Sequence, residues 1–248
     1  MLCAVQTRTD VVQDFIDFGM AWLDDHDYAL TIDVNMGVWA RKMSEAPSIA
    51  VVNPTFDPKF SPLSPENSFW LDVRAGSRTV AMMAGRLFIT DDYLEVKRTM
   101  KLWYDPPRPC DRPIAMELPI GTPLIAGKVA HEGGLWVHPN YRKQGLSVIL
   151  PHLTRALCLR QWNIDWITGA TMRGIGESGM AVRAYGMRHV VPCYEGHFSV
   201  TQRPDRLFLA YMNREELLAG LELDSVARLL PNGNHQMGHP ILVLAQEG

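Results

Sequence analysis

No run of about 20 consecutive apolar residues, the length a membrane-spanning helix needs, occurs anywhere in the 248-residue sequence. Cysteine is sparse: Cys3, Cys110, Cys158 and Cys193 lie far apart and form no C-x-x-C pair, which suggests neither a disulfide framework nor a zinc site. Basic charge is not in excess either. A formal net charge of −3 provides no broad positive field, so nucleic acid and anionic membrane surfaces are not expected partners. The first residues lack the basic segment and apolar core of a secretory signal, and the expected location is the cytoplasm. There is no G-x-G-x-x-G and no G-K-[ST], which excludes the usual dinucleotide fingerprint and the Walker loop. His235 and His239 are four apart, but the glycines and proline around them break any helical metal face. No metal is expected.

What the chain does have is apolar content, 47% of residues, enough to bury a sizeable core in one domain spanning 1–248. Asp10 and Gln13 have capping-box spacing, and Val11, Phe15, Phe18 and Leu23 follow at helical spacing. A second helix is expected in "VNMGVWARKMSEA" and a short strand in "SIAVV". The segment from Ser68 reads as a hairpin turning at Gly76, where glycine supplies a positive φ. Residues 91–130, rich in proline and aromatics, have no clear period and read as a long insertion covering a site. Beyond it come the strand "IDWITGATM", a glycine-rich turn over 173–179, a short helix "MAVRAYG" and two further strands. A helix capped by Asn213 and Glu216 precedes a turn-rich tail from about residue 231.

The most informative stretch is "WVHPNYRKQGLS" followed by "VILPHLTRALCLRQW". A strand runs through a basic, glycine-bearing turn into a helix whose Leu146, Ile149, Leu150, Leu153 and Leu157 form an apolar stripe; Pro151 should bend it. A turn entering a helix presents unpaired N–H groups and the positive end of the helix dipole, which suits a phosphate. Gly145 would let the phosphate approach without a Cβ in the way, and Arg142 and Lys143 would add charge.

The order Arg142-Lys143-Gln144-Gly145-Leu146-Ser147 resembles the Arg/Gln-x-x-Gly-x-Gly/Ala signature of the GCN5-related N-acetyltransferases, with serine at the last position. The resemblance implies an α/β fold: a mixed, mostly antiparallel sheet flanked by helices, with a splayed central strand pair. It implies acetyl-CoA as co-substrate. The amides of residues 142–147 would hold its pyrophosphate, and Leu135 and Val137 would be main-chain donors to the pantetheine arm. The pair Gly133-Gly134 would form the bulge that opens the strands.

For chemistry, the family often places a glutamate early in the bulged strand as base, matched here by Glu132, with His131 as its neighbour. The family's acid is commonly a tyrosine, but Val182 occupies that position and Ile175 replaces an upstream asparagine; nearby Tyr185 could substitute. Trp103, Tyr104, Phe56 and Phe60 could line an acceptor pocket. The expected activity is acetyl transfer to the primary amine of a small molecule or peptide. A non-catalytic acyl-CoA sensor and, less favoured, an acyl-homoserine-lactone synthase are the other readings. A homodimer is compatible with the resemblance.

Overall fold

The computed structural model describes residues 8–109, 111–223, 226, 229 and 230. The expectations for Cys3, Cys110, His235, His239 and the tail from 231 fall outside those residues. In chain order the elements are α1 (Arg8–Asp25), β1 (Ala29–Asp33), α2 (Met36–Glu45), β2 (Ser68–Ala75), β3 (Arg78–Thr90) and α3 (Tyr93–Arg98). They continue with β4 (Gly127–Val137), α4 (Leu146–Trp162), β5 (Trp166–Met172), α5 (Arg173–Ser178), α6 (Met180–Arg183), β6 (His189–Phe198), β7 (Arg203–Asn213) and α7 (Arg214–Gly220).

The seven strands form one sheet in the order β1-β2-β3-β4-β5-β7-β6. The pairs are antiparallel except β4 with β5, which run parallel. Helices α1, α4 and α7 cover one face, sharing the core with Phe69, Leu71, Ala81 and Ile167. On the other face lie two clusters. One gathers Trp39 of α2 with Phe56, Trp70 and Trp136, and the other gathers Tyr93, Leu102 and Trp103 with Phe198 and Leu209.

The helix after the basic turn is buried on nearly every side rather than along one stripe, because α1 packs on its outer surface. Gly19 makes that packing possible: a Cβ there would stand 2.5 Å from Leu153. Pro151 sits inside α4, which continues past it to Trp162.

Several expectations change. Strand β1 was not anticipated, "SIAVV" is irregular, and α1 is already helical at Asp10, so Asp10 is not its cap. The glycine-rich 173–178 is a helix, α5, because Gly176 lets Phe208 come within 2.2 Å of where a Cβ would be. Residues 91–130 include α3 and bury Tyr93, Met100, Leu102 and Ile125 completely. That segment is core, and its removal would expose the second cluster. The hairpin at Gly76 (φ +59°) and the full capping box at Asn213 and Glu216 form as read.

Candidate functional site

Strand β4 pairs with β5 only from Val129 to Glu132, whose partner is Gly169. Beyond that rung β5 stays with β7 through Met172, while β4 stays with β3. The two strands therefore splay. At the same level β4 carries an extra residue, since Ala84 pairs with Gly133 but Met82 pairs with Trp136. Gly134 has φ +61°, and a Cβ on it would stand 2.4 Å from Trp39. Glycine is thus demanded both by the backbone and by the α2 layer above it.

The splay leaves a main-chain edge open. His138 N–H bonds to Val80 O at 2.8 Å, and Trp136 is the partner of Met82. Main-chain groups of successive strand residues point to opposite neighbours, so those of Leu135 and Val137 point away from β3 into the gap. The guanidinium of Arg142 folds back to this edge, Nε donating to Val137 O at 3.3 Å.

At the top of the gap α4 begins. Gly145 is its N-cap with φ +88° and offers no side-chain cap. The N–H groups of Gln144, Gly145, Leu146 and Ser147 have no hydrogen-bond partner among the described residues. They are the orphan donors of a 17-residue helix. A cavity of about 560 Å³ opens beside Leu146 and Ser147 of this turn, with Leu135, Val137, Arg142, Lys143, Ile175 and Tyr185 among its other walls.

Most of the residues expected to bind a cofactor thus share one cavity. Gln144 and Gly145 do not line it; the Gln144 side chain turns to Tyr28 Oη and to Asn140 O. The reason for Gly145 also changes. Its missing Cβ faces Trp22, which would be 2.8 Å away, and not the cavity. The glycine serves a left-handed turn packed on α1, and the phosphate argument passes to the free amides.

Tyr185, the candidate substitute for the family's acid, is half-buried on the cavity wall, with Oη 3.3 Å from Met180 Sδ; burial pushes its hydroxyl pKa up. Glu132 requires a correction. Its carboxylate is buried on the α4 face and held by Arg155, with Nε to Oε2 at 2.9 Å and Nη2 to Oε1 at 2.5 Å. Burial pushes this carboxyl up, and Arg155 opposes that. It lines neither of the cavities described here, and strand alternation turns His131 to the other face instead. There His131 is stacked on Phe56, and its Nδ1 lies 2.7 Å from Tyr93 Oη.

His131 and His152 are both buried, and burial lowers each to about 3, helped by Lys97 and Arg86 for His131 and by Arg155 for His152. The folded protein keeps them neutral, whereas the unfolded chain takes up protons below about 6.5. Stability should therefore be intact above pH ~6.5 and be lost as pH falls toward 3. Urea unfolding at pH 7, 6 and 5 should show a decline of up to about 1.4 kcal/mol per pH unit per histidine. A flat profile would contradict this placement of the two rings.

A second cavity, about 280 Å³, lies on the sheet face away from α4. Its walls include Ala50, Val51, Asn53, Trp103, Ala170, Met172, Phe198, Thr201, Arg203 and Leu207. Of the loop aromatics expected here only Trp103 contributes; Phe60 and Tyr104 pair with each other edge-on at 5.5 Å. Residues 48–53 link the two spaces, since Ser48 and Ile49 line the larger cavity and Ala50, Val51 and Asn53 the smaller.

Asn53 was not anticipated. Its Oδ1 accepts Thr55 N–H at 3.1 Å, capping the 3₁₀ turn Pro54–Phe56. That bond fixes which end of the amide is which. Nδ2 lies 3.7 Å from where a Cβ of Gly133 would be, and the Phe56 ring lies 2.9 Å from the same point.

No protein-family model and no curated protein matches the sequence. Solved structures do resemble it. NAA60 from Arabidopsis thaliana in complex with acetyl-CoA has 10% identity and a TM-score of 0.48, the match covering 76% of this chain and 99% of that one. FeeM, an N-acyl amino acid synthase from uncultured soil microbes, has 11% identity, 80% and 96% coverage and a TM-score of 0.46. Spermidine/spermine N-acetyltransferase SpeG from Vibrio cholerae has 9% identity, 79% and 98% coverage and a TM-score of 0.46. At such identity none of their residues is carried over to this chain. Its own seven-stranded, mostly antiparallel sheet, flanked by helices and splayed where the parallel pair ends, has the architecture that the signature at residues 142–147 led one to expect.

Proposed function

We propose that the protein transfers the acetyl group of acetyl-CoA to a primary amine. The observation that carries this reading is the open β4 edge leading to the unpaired amides at the start of α4, within one cavity. An extended pantetheine arm would pair with Leu135 and Val137 as an added strand. A pyrophosphate would accept from the amides of residues 144–147, with Arg142 and Lys143 supplying charge at the rim. The chain's donors therefore fit both the length and the charge of coenzyme A.

Acetyl-CoA supplies the activated thioester, and the protein orients it and stabilises charge. Asn53 Nδ2, beside Gly133, donates to the acetyl carbonyl oxygen as it becomes anionic on attack by the amine. Tyr185 keeps its proton at neutral pH and offers it to the departing thiolate as a hydrogen bond. The amine loses its proton to water, since neither cavity has an Asp or Glu among its described lining residues. That same fact favours the second reading, an acyl-CoA-binding module that does not turn over. Free-thiol release from acetyl-CoA across a panel of amines decides between them.

Coenzyme A binding is tested separately with Ser147→Glu. Ser147 lines the cavity within the first turn of α4, where a carboxylate favours the helix dipole and should leave the fold intact. Facing a pyrophosphate, it should weaken binding by about 10- to 100-fold, the scale of one like-charge contact in a partly shielded site. Unchanged affinity by calorimetry would remove this cavity as the coenzyme A site.

A further inference from the structure

The smaller cavity identifies the kind of amine. We infer that it takes the α-amino group of one large apolar residue, either a free amino acid or the first residue of a peptide. The inference rests on the proposed acetyl transfer and adds the acceptor class.

Position comes first. Ala170 follows directly on the last β4–β5 rung, and Asn53 hangs over Gly133 on the facing strand. Both line the smaller cavity, which therefore lies beside the point where β4 and β5 part, on the sheet face away from α4. An amine entering from it would meet a thioester lying along Leu135 and Val137.

Size and polarity follow. At about 280 Å³ the cavity lies near the lower end of the ~300–1,000 Å³ range of small-molecule sites, suited to one residue and not to a long chain. Trp103, Met172, Phe198 and Leu207 give it an apolar side, Asn53 and Thr201 add polar groups, and Arg203 is the charged residue among those lining it. A polyamine would need carboxylates for its remaining ammonium groups and would meet a cation instead.

The proton argument narrows the class further. With no carboxylate lining the site, the amine has to arrive neutral often enough to react. The α-amino group of a peptide's first residue, with pKa about 8, is neutral in a usable fraction near pH 7.5; the carboxylate of a free amino acid raises that pKa, and a lysine-like amine near 10.4 is neutral far less often.

The test measures kcat/KM by thiol release at pH 7.5 for phenylalanine, phenylalaninamide, glycinamide, phenethylamine and spermidine. Phenylalaninamide should exceed glycinamide by about 10- to 100-fold, the worth of burying its ring. It should also exceed phenethylamine, which has the same ring but a more basic amine, and spermidine should be the poorest. Phenylalanine against its amide distinguishes a free amino acid from a peptide start. The variant Val51→Glu, at a half-exposed wall position outside regular structure, should shift the ratio of spermidine to phenylalaninamide at least about 10-fold toward spermidine.

Spermidine or glycinamide as the best acceptor, or no shift in Val51→Glu, overturns the inference while leaving acetyl transfer in place. If no amine releases thiol, acetyl transfer fails. Calorimetric binding of phenylalaninamide to the protein loaded with coenzyme A then still decides the cavity: preference over spermidine supports it, and equal or reversed affinity overturns it.

Discussion

Replacing Asn53 by aspartate should leave the fold and coenzyme A affinity intact and lower kcat by about 10²-fold, the usual effect of losing one oxyanion donor. The substitution is nearly isosteric. An aspartate oxygen can still accept Thr55 N–H, the bond that caps Pro54–Phe56, and aspartate and asparagine cap equally well. What changes is the other end of the group. The Nδ2 donor over Gly133 becomes an acceptor bearing negative charge, where the acetyl oxygen would gain its own. Asn53→Ala, which loses cap and donor together, is the control for stability. If Asn53→Asp turns over at the wild-type rate, the residue is a cap and nothing more. If KM for the acceptor rises while kcat holds, its amide binds the amine and not the carbonyl oxygen.

Nothing in the sequence marks Asn53 for this role. With Pro54, Pro58, Pro62 and Pro65 the sequence reads there as an extended loop without regular structure, whereas Asn53 caps the 3₁₀ turn Pro54–Phe56. The proposed second role depends on this turn lying against β4 at Gly133, some 80 positions later. The turn at residues 142–147 was legible for the opposite reason. Strand, turn and helix are contiguous there, so local chemistry fixes the geometry without help from distant residues. Gly145 shows the limit of such reading: the glycine was expected to make room for a phosphate, whereas it serves a left-handed turn packed on Trp22 of α1, a neighbour not visible in the sequence.

The same division explains the other differences. Residues 91–130 lack a period because their partners are Phe198, Leu207 and Leu209 from β6 and β7, far along the chain. Strand β1 is five residues long, at the sheet edge, and mostly exposed, so it carries neither alternation nor an apolar run. Helix α5 contains two glycines that propensity assigns to a turn, yet packing against Phe208 demands a small residue there. In each case a tertiary contact outweighs the local preference.

Glu132 was expected to act as a base, and its pairing with Arg155 leads to the second large effect. Arg155→Met should destabilise the protein by about 3–5 kcal/mol, because it leaves a buried carboxylate without its partner. The loss should shrink in acid. Burial alone then acts on Glu132 and raises its pKa further above the unfolded value near 4.3. A group shifted that way contributes its stability below the unfolded pKa and loses it as pH rises through the folded one. Urea titrations of wild type and Arg155→Met should thus converge between pH 7 and 4, and parallel curves would mean that Glu132 is not the group left unpaired. Joining Glu132→Leu to Arg155→Met should restore most of the stability, as apolar replacement of buried ion pairs commonly does. Activity should not return with it. Glu132 lies on the last rung where β4 still pairs with β5, and Arg155 lies on the helix whose first turn carries the free amides. If the ion pair positions those amides over the gap, the loss will show in acetyl-CoA binding. A stable double variant should show a raised KM for acetyl-CoA with kcat at saturation less affected, the signature of a positioning pair. A double variant with wild-type KM would confine the pair to stability.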